Sequence, residues 1–367
     1  MEVQRGLKFR IYPNKQQKIL INKTLGCSRF VYNHFLRVRM DEWQFNKHSV
    51  GYYETAKMLK DLKKYPEFSW LKEADSTALQ QSLRDLQKAY DNFFAKRAKL
   101  PKFKSKHNHR QSYRSQSVNG NIRIVGNRIQ LPKIGKVKTK FSREVVGKIA
   151  NATVICTASD KYFVSLCVCY ETDVLPNGGG QIGLDVGLKT FYSDSNGGVA
   201  ENPRILAKYT KKLTREQRRL SRKKKGSGQW QRQRVRVARI HERITNIRKD
   251  FQHKLSTKLC NENALVAVEH LNIKGMVKNH RLAKAISNAS WSSFFTMLEY
   301  KSAERGGQVI KVPTFYPSSQ TCHVCGNKNP LTKDLSVREW VCESCHTHHD
   351  RDENAAINIL KKALEVA

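Results

Sequence analysis

The chain is poor in acid. Among its 367 residues, 31 Asp and Glu stand against 68 Lys and Arg, a net charge of +37. Such a surface repels itself until a polyanion neutralises it, so nucleic acid is the expected partner. The sequence also lacks an apolar run of membrane-spanning length, and its first fourteen residues are polar and basic, with no apolar stretch of a secretory leader. No membrane partner is expected, and the expected setting is cytosolic or nucleoid-associated. Cysteine is sparse outside one region: Cys27, Cys156, Cys167, Cys169 and Cys260 lie in apolar surroundings, where a reduced thiol behaves as a small hydrophobe, and no disulfide is expected. The length suits two or three domains with separate cores.

Where cysteine does concentrate, its spacing is specific. Cys322 and Cys325 form one Cys-x-x-Cys pair and Cys342 and Cys345 another, with sixteen residues between them. At that spacing two tight knuckles present four sulfurs to one structural, tetrahedral zinc ion. His346 follows Cys345 where Gly326 follows Cys325, so either the second turn is strained or His346 substitutes as a ligand; four thiolates already complete the tetrahedron, which favours the cysteines. Asp350, Asp352 and Glu353 come next, ahead of Asn354-Ala355-Ala356-Ile357, the start of a last helix. A carboxylate held there by a metal staple is suited to bind a catalytic cation, while a neighbour caps the helix. Asp352 is the expected ligand with Asp350 supporting it; Asp350 and Glu353 are the alternatives.

Upstream, Leu7-Lys8-Phe9-Arg10-Ile11 alternates as a strand does and stops at Tyr12-Pro13-Asn14. A helical pattern follows through Phe35, with Gly26 as an interruption, and resumes from Tyr52 to Leu100 with Leu79, Leu83, Leu86, Tyr90 and Phe93 on one stripe. Gln80 and Arg84 lie beside that stripe and could read base edges. Lys102, Lys104 and Arg110 belong to a basic run with interleaved aromatics, suited to a phosphate backbone. Strand pairs are expected around Gly126-Asn127 and Ser159-Asp160. One small β domain, interrupted by a helical insertion, accounts for these patterns, and the glycines before Gln181 mark a linker.

Two further acids stand out beyond the linker. Asp185 sits in the strand-like Ile182-Gly183-Leu184-Asp185, and Glu269 ends the apolar run Leu265 to Val268. Acids are disfavoured in strands, and ligand sites in α/β sheets gather at the ends of adjacent strands. If Asp185, Glu269 and Asp352 meet, their repulsion requires cations, and oxygen ligands suit two Mg²⁺ or Mn²⁺ ions acting on a phosphodiester. Between the first two acids lies the most basic segment, with Arg218, Arg222, Lys224, Arg232 and Arg236 on two helices broken at Gly226-Ser227-Gly228. Few acids are present to compensate them, so an RNA or RNA–DNA duplex is the expected counterpart.

Taken together, Asp185 in Gly-Leu-Asp-Val-Gly-Leu-Lys, Glu269 in Val-Glu-His-Leu-Asn-Ile-Lys-Gly, the run Pro317 to Gly326 and the run His348 to Ile359 resemble TnpB, the transposon-encoded relatives of type V CRISPR nucleases. Lys8 to Pro13 and Gly26 to Asn33 extend the resemblance over nearly the whole chain. It implies an α/β and α+β multidomain fold: a wedge β-barrel (1–11 and 119–175) with a helical recognition insertion (12–118), then an RNase H-like (RuvC) nuclease domain (181–316 and 348–367) with an inserted four-cysteine zinc ribbon (317–347). It further implies a prokaryotic protein, one copy bound to one guide RNA from the transposon end, cutting double-stranded target DNA beside a short flanking motif. Asp185, Glu269 and Asp352 match the family's metal-binding acids, and Cys322, Cys325, Cys342 and Cys345 its zinc ligands. Arg338 either orients substrate phosphate or is a surface charge of the ribbon. Three activities compete: guided cleavage, repression by occupancy, and strand joining. The presence of all three acids argues for the first.

Overall fold

The computed structural model describes residues 2–366 apart from His109 and Leu335. The chain divides into two compact units, one ending at Thr172 and one beginning at Asp173.

The first unit opens with β1 (Glu2–Tyr12), in which Leu7, Phe9 and Ile11 are buried while the residues between them face outward. Asn14 then caps α1 (Lys15–Asn46), its side chain accepting from the Gln17 N–H while the Gln17 side chain accepts from the Asn14 N–H, a reciprocal capping box. Gly26 does not interrupt this helix. Thirty-two residues continue through it, because one glycine costs only about 1 kcal/mol against burial on both sides of it: Ile21 and Leu25 pack on the sheet, and Val31, Phe35 and Leu36 pack on the helices that follow. These are α2 (Tyr52–Leu62), a 3₁₀ turn (Pro66–Glu73) and α3 (Ser76–Phe94), whose Leu79, Leu83 and Leu86 are fully buried.

The sheet consists of β1, β2 (Arg110–Gln116), β3 (Arg123–Val125), β4 (Arg128–Leu131), β5 (Gly135–Lys140), β6 (Lys148–Thr157) and β7 (Tyr162–Glu171), in the order β2-β6-β7-β1-β5-β4-β3. Every pairing is antiparallel. Leu7, Phe9 and Ile11 face Leu166, Val164 and Tyr162 across the ladder, so one register aligns the apolar faces of both strands. The hairpins around Gly126-Asn127 and Ser159-Asp160 form as their turn residues suggest. The basic run is different from its expected helical neighbourhood: from Arg110 onward it is extended and pairs with β6, its Tyr113 and Ser115 turned inward.

The second unit holds β8 (Gly180–Asp185), β9 (Thr190–Asp194), β10 (Val199–Glu201), α4 (Ile205–Ser221), α5 (Gly228–Glu262), β11 (Asn263–Glu269), α6 (Ile273–Met276), α7 (His280–Ala289), α8 (Trp291–Ala303) and β12 (Gln308–Val312). After a 3₁₀ turn (Pro330–Lys333) come β13 (Glu339–Val341), β14 (His348–Asp350) and α9 (Arg351–Leu364). The five-stranded sheet runs β10-β9-β8-β11-β12. β8, β11 and β12 are mutually parallel; β9 pairs antiparallel with both β8 and β10, so β10 runs in the same direction as the other three. Helices cover both faces. Ile182, Leu184, Val266 and Val268 pack with Phe294 and Leu298 of α8; Leu265, Ala267 and Val312 pack with Ile359 and Ala363 of α9.

Candidate active site and zinc centre

Side chains alternate across a strand, and this parity directs the acids. On β8, Ile182 and Leu184 face α8, so Gly183 and Asp185 face α9; on β11, Val266 and Val268 face α8, so Leu265, Ala267 and Glu269 face α9. The two strands are parallel, with Val268 opposite Leu184. Asp185 and Glu269 therefore stand side by side at the carboxyl edge of the sheet, on the face that α9 covers. Gly183 lets α9 come that close: a Cβ there would overlap the Ala356 carbonyl oxygen and lie 2.9 Å from the Leu360 N and Cβ.

Asp352 sits in the first turn of α9. Asp350 is the N-cap, its Oδ1 accepting from the Asp352 and Glu353 N–H groups at 2.9 Å each, which leaves the Asp352 carboxylate free of capping duty. Arg338 Nη1 donates to Asp352 Oδ2 at 2.8 Å and Arg351 Nη2 to Oδ1 at 3.1 Å. Arg338 is thus not a ribbon surface charge alone, since it reaches across to the helix. The Arg351 Nη1 also donates to the Asp334 and Val337 carbonyls, joining the helix start to the loop ahead of Arg338.

The three acids lie in one electrostatic neighbourhood. The Asp185 carboxyl is pushed well above its usual range by burial first, then by Glu269 and Asp352, with Arg351 and Arg338 opposing. Burial also raises Glu269, against a 2.7 Å hydrogen bond donated by Ser318 Oγ to its Oε1. An acid crowded in this way prefers to stay neutral unless a cation shares the site. An all-oxygen donor set of this kind fits Mg²⁺ or Mn²⁺.

The zinc centre is built by two matched turns. Cys322 N–H donates to the Asn327 carbonyl and Gly326 N–H to that of Cys322; Cys342 N–H donates to the Thr347 carbonyl and His346 N–H to that of Cys342. Gly326 and His346 occupy equivalent positions and both are left-handed, with φ of 78° and 55°. His346 therefore accepts the strained turn and is exposed. Among the described residues, Cys322, Cys325, Cys342 and Cys345 form the metal-ligating group whose ligand atoms all lie within 4.8 Å of one another. The Cys322–Cys345 and Cys325–Cys342 Sγ pairs are 3.6 and 3.5 Å apart, close to the ~3.8 Å edge of a tetrahedron with ~2.3 Å Zn–S bonds. Thr347, by its hydrogen bonds, lowers the Cys345 thiol to about 6, which favours the thiolate that zinc requires. The histidine nearest the sulfurs is His349, buried between His323 and Trp340, with Nε2 3.1 Å from Cys322 Sγ.

Asn354 and Asn358, one turn apart on α9, join the two centres. Their Nδ2 groups donate to the Thr321 carbonyl at 2.8 and 2.6 Å, and the Asn358 Nδ2 also to that of Ser318 at 2.9 Å. Asn354 Oδ1 accepts from the His323 N–H at 3.0 Å. The first knuckle is thereby fastened to the helix that carries Asp352, and Ser318 extends the fastening to Glu269. A polar pair at i, i+4 on the inward face of a helix was visible in the sequence; nothing there singled out Ser318.

Family models match three stretches: "Probable transposase" at residues 165–280, "Cas12f1-like, TNB domain" at 291–359 and "Helix-turn-helix domain" at 1–48. A Streptomyces pristinaespiralis protein named "Putative RNA-guided DNA endonuclease" is 38% identical over 368 residues, covering 99% of this chain and 90% of the relative. Escherichia coli K12 "Putative RNA-guided DNA endonuclease InsQ" is 34% identical, covering 97% and 91%, and "TnpB-like protein L79" of Acanthamoeba polyphaga mimivirus is 33% identical over 136 residues, 35% of this chain and 25% of that protein. This chain belongs to the TnpB family. A chain in the cryo-EM structure of a Cas12f1-sgRNA-target DNA complex shares its fold, with a TM-score of 0.58 at 13% identity and 98% of both chains covered.

In this TnpB member the basic candidates separate by environment. Arg218, Arg222, Lys224, Arg232 and Arg236 are exposed, and Arg215, Arg218, Arg219 and Arg222 line an open groove of about 520 Å³ along α4. Lys102 and Arg110 are exposed too. Lys104 is exposed as well, but its ammonium lies 3.9 Å over the Tyr32 ring, where partial desolvation lowers its pKa. Arg84 is engaged with Tyr52, 5.2 Å over the ring and hydrogen-bonded to its hydroxyl. Gln80 points to solvent, whereas Gln81 is buried and, with Lys104, lines a polar cavity of about 160 Å³ between α1, α3 and β2. Among the described residues no helix is long and apolar enough to cross a membrane.

Proposed function

We propose that this chain is a transposon-encoded, RNA-guided DNA endonuclease that cleaves target DNA beside a short flanking motif by metal-dependent phosphodiester hydrolysis. What supports the reading most is that strand parity puts Asp185 and Glu269 on the face of the sheet that α9 covers, and that Asp185 lies within electrostatic reach of both Glu269 and Asp352. A β10-β9-β8-β11-β12 sheet in which β9 alone runs opposite to the other four strands supports an RNase H-like, RuvC-type domain, and the antiparallel seven-stranded sheet supports the wedge barrel. The domain limits 1–11, 12–118, 119–175, 181–316, 317–347 and 348–367 belong to this reading.

Two Mg²⁺ or Mn²⁺ ions bound to the acids would activate water and stabilise the leaving oxygen of the phosphodiester. The residues have distinct parts. Asp185, Glu269 and Asp352 supply the oxygen ligands. Ser318 fixes one oxygen of Glu269 and leaves the other available. Arg338, 41% exposed at its side chain, can exchange Asp352 for a substrate phosphate once a cation holds that carboxylate, because a fork-shaped guanidinium grips phosphate as it does carboxylate. The single zinc ion, held by Cys322, Cys325, Cys342 and Cys345, would set the position of Asp352 through Asn354 and Asn358.

Guide RNA would occupy the exposed arginines and lysines of α4 and α5, in keeping with the charge of +37. Pairing would then read the target while the protein reads shape and the flanking motif. One copy acting on one RNA in the prokaryotic cytoplasm, at the nucleoid, is the matching setting. Sequencing the RNA that copurifies with the expressed chain tests this reading: a defined transposon-end transcript is expected, and random cellular RNA would contradict it. Strand joining, which the same acids could also serve, is separated by products: free 3′ ends are expected rather than joined strands.

A further inference from the structure

Phe315 is 95% exposed, more than any other large apolar side chain among the described residues. A lone exposed ring is ordinary on a protein surface; its setting here is not. The turn that bears it is pinned on both sides to the strand end that carries Glu269. On one side, Val312 is the parallel partner of Glu269 and its carbonyl accepts from the His270 N–H at 3.1 Å, while Thr314 Oγ1 lies 3.2 Å from His270 Nδ1. On the other side, Ser318 donates to Glu269 itself. Tyr316 N–H closes the turn on the Pro313 carbonyl at 3.1 Å, and the Tyr316 ring packs into the core with Val312. Phe315 is next to Thr314 and three residues from Val312 and from Ser318, a reach of at most ~10 Å of chain. A rigid backbone thus holds an unburied aromatic face at the rim of the acidic site.

We propose that Phe315 is a stacking platform for a nucleobase of the DNA strand engaged at Asp185, Glu269 and Asp352, orienting the nucleotide next to the phosphate that is cut. The inference rests on the nuclease reading of that site. Its chemistry follows from the surroundings: every base offers a π face, so an aromatic ring grips a strand without reading its sequence. The chain's positive excess brings the phosphates to the site, and the ring fixes the angle at which one of them meets the acids.

The test uses full-length, zinc-loaded protein bound to guide RNA, and a single-stranded oligonucleotide carrying 2-aminopurine, first without added Mg²⁺ so that no cleavage occurs. Stacking should quench the fluorophore in wild type and in Phe315→Trp. Phe315→Ala and Phe315→Leu should restore its emission and, with Mg²⁺ added, raise KM by about 5- to 150-fold, the range commanded by one base–aromatic stack, with guide-RNA affinity and zinc content unchanged. Leu keeps the apolar bulk without the π face, so a Leu variant that quenches and cleaves like wild type overturns the proposal. So does a Phe315→Ala variant whose only change is loss of a concentration-dependent dimer. Wild type that quenches but cuts no guide-matched DNA would sink the nuclease reading and leave the stacking intact; wild type that cuts without quenching would do the reverse.

Discussion

Gly183→Ala should damage catalysis while leaving RNA binding alone, and the structure says by how much. The added Cβ would overlap the Ala356 carbonyl oxygen and lie 2.9 Å from the Leu360 N and Cβ, whereas carbon contacts are comfortable at about 3.5–4.0 Å. The Ala356 oxygen and Leu360 N are backbone, so rotamer changes give no relief and α9 must lift from β8 by about 1 Å. Overpacking of this kind costs about 1–3 kcal/mol. For a unit of this size that corresponds to a fall of roughly 2–12 °C in melting temperature. Asp352 opens α9 and Asp185 lies two residues from Gly183 on the strand, so the lift separates two proposed ligands directly, and misplacement by ~1 Å can cost about 100-fold in rate. Differential scanning calorimetry and guide-dependent cleavage kinetics measure the two effects, with guide-RNA affinity as the control for α4 and α5. An unchanged melting temperature would refute the packing argument. A lowered melting temperature with an unchanged rate would refute the claim that α9 sets the site.

Cys345→Ser should lower zinc content below one per chain and reduce cleavage about 10- to 100-fold, as loss of metal-site support commonly does; full zinc and full rate would show that the ribbon does not position Asp352. Asp185→Asn should raise the melting temperature of metal-free protein at pH 7. The folded-state pKa of Asp185 lies above the unfolded value of about 4, so its contribution to stability is fully present below that value and is lost as pH rises through the folded pKa. The advantage of Asn should therefore close below about pH 4, and Mg²⁺ should stabilise wild type but not the variant; an advantage that persists at pH 3 would point to packing instead.

Much of this architecture was legible in the residues because local pattern and tertiary packing agree. The alternation Leu7, Phe9, Ile11 and the apolar run before Glu269 formed their strands, and Gly226-Ser227-Gly228 separated two helices. Pattern failed where long-range contacts decide. Gly26 reads as a break, but α1 is stabilised on both sides of it by separate cores. Arg110 to Gln116 reads as a polar basic run, yet pairing with β6 makes it a strand. Charge and composition could not tell Lys104, folded onto Tyr32, from Lys102, or Gln80 in solvent from Gln81 in the cavity beside it. The acids of the candidate site were recognisable one by one. Their common face required knowing which sides of β8 and β11 meet α9, and the ties through Ser318, Asn354 and Asn358 exist only between elements distant in sequence.

Guide-directed cleavage of a matched DNA duplex in Mg²⁺, compared between wild type and Asp185→Ala at equal RNA occupancy, addresses the account most directly. Cutting should vanish in the variant while RNA affinity is retained. Undiminished cutting by Asp185→Ala would show that the chemistry happens somewhere other than where β8, β11 and α9 converge.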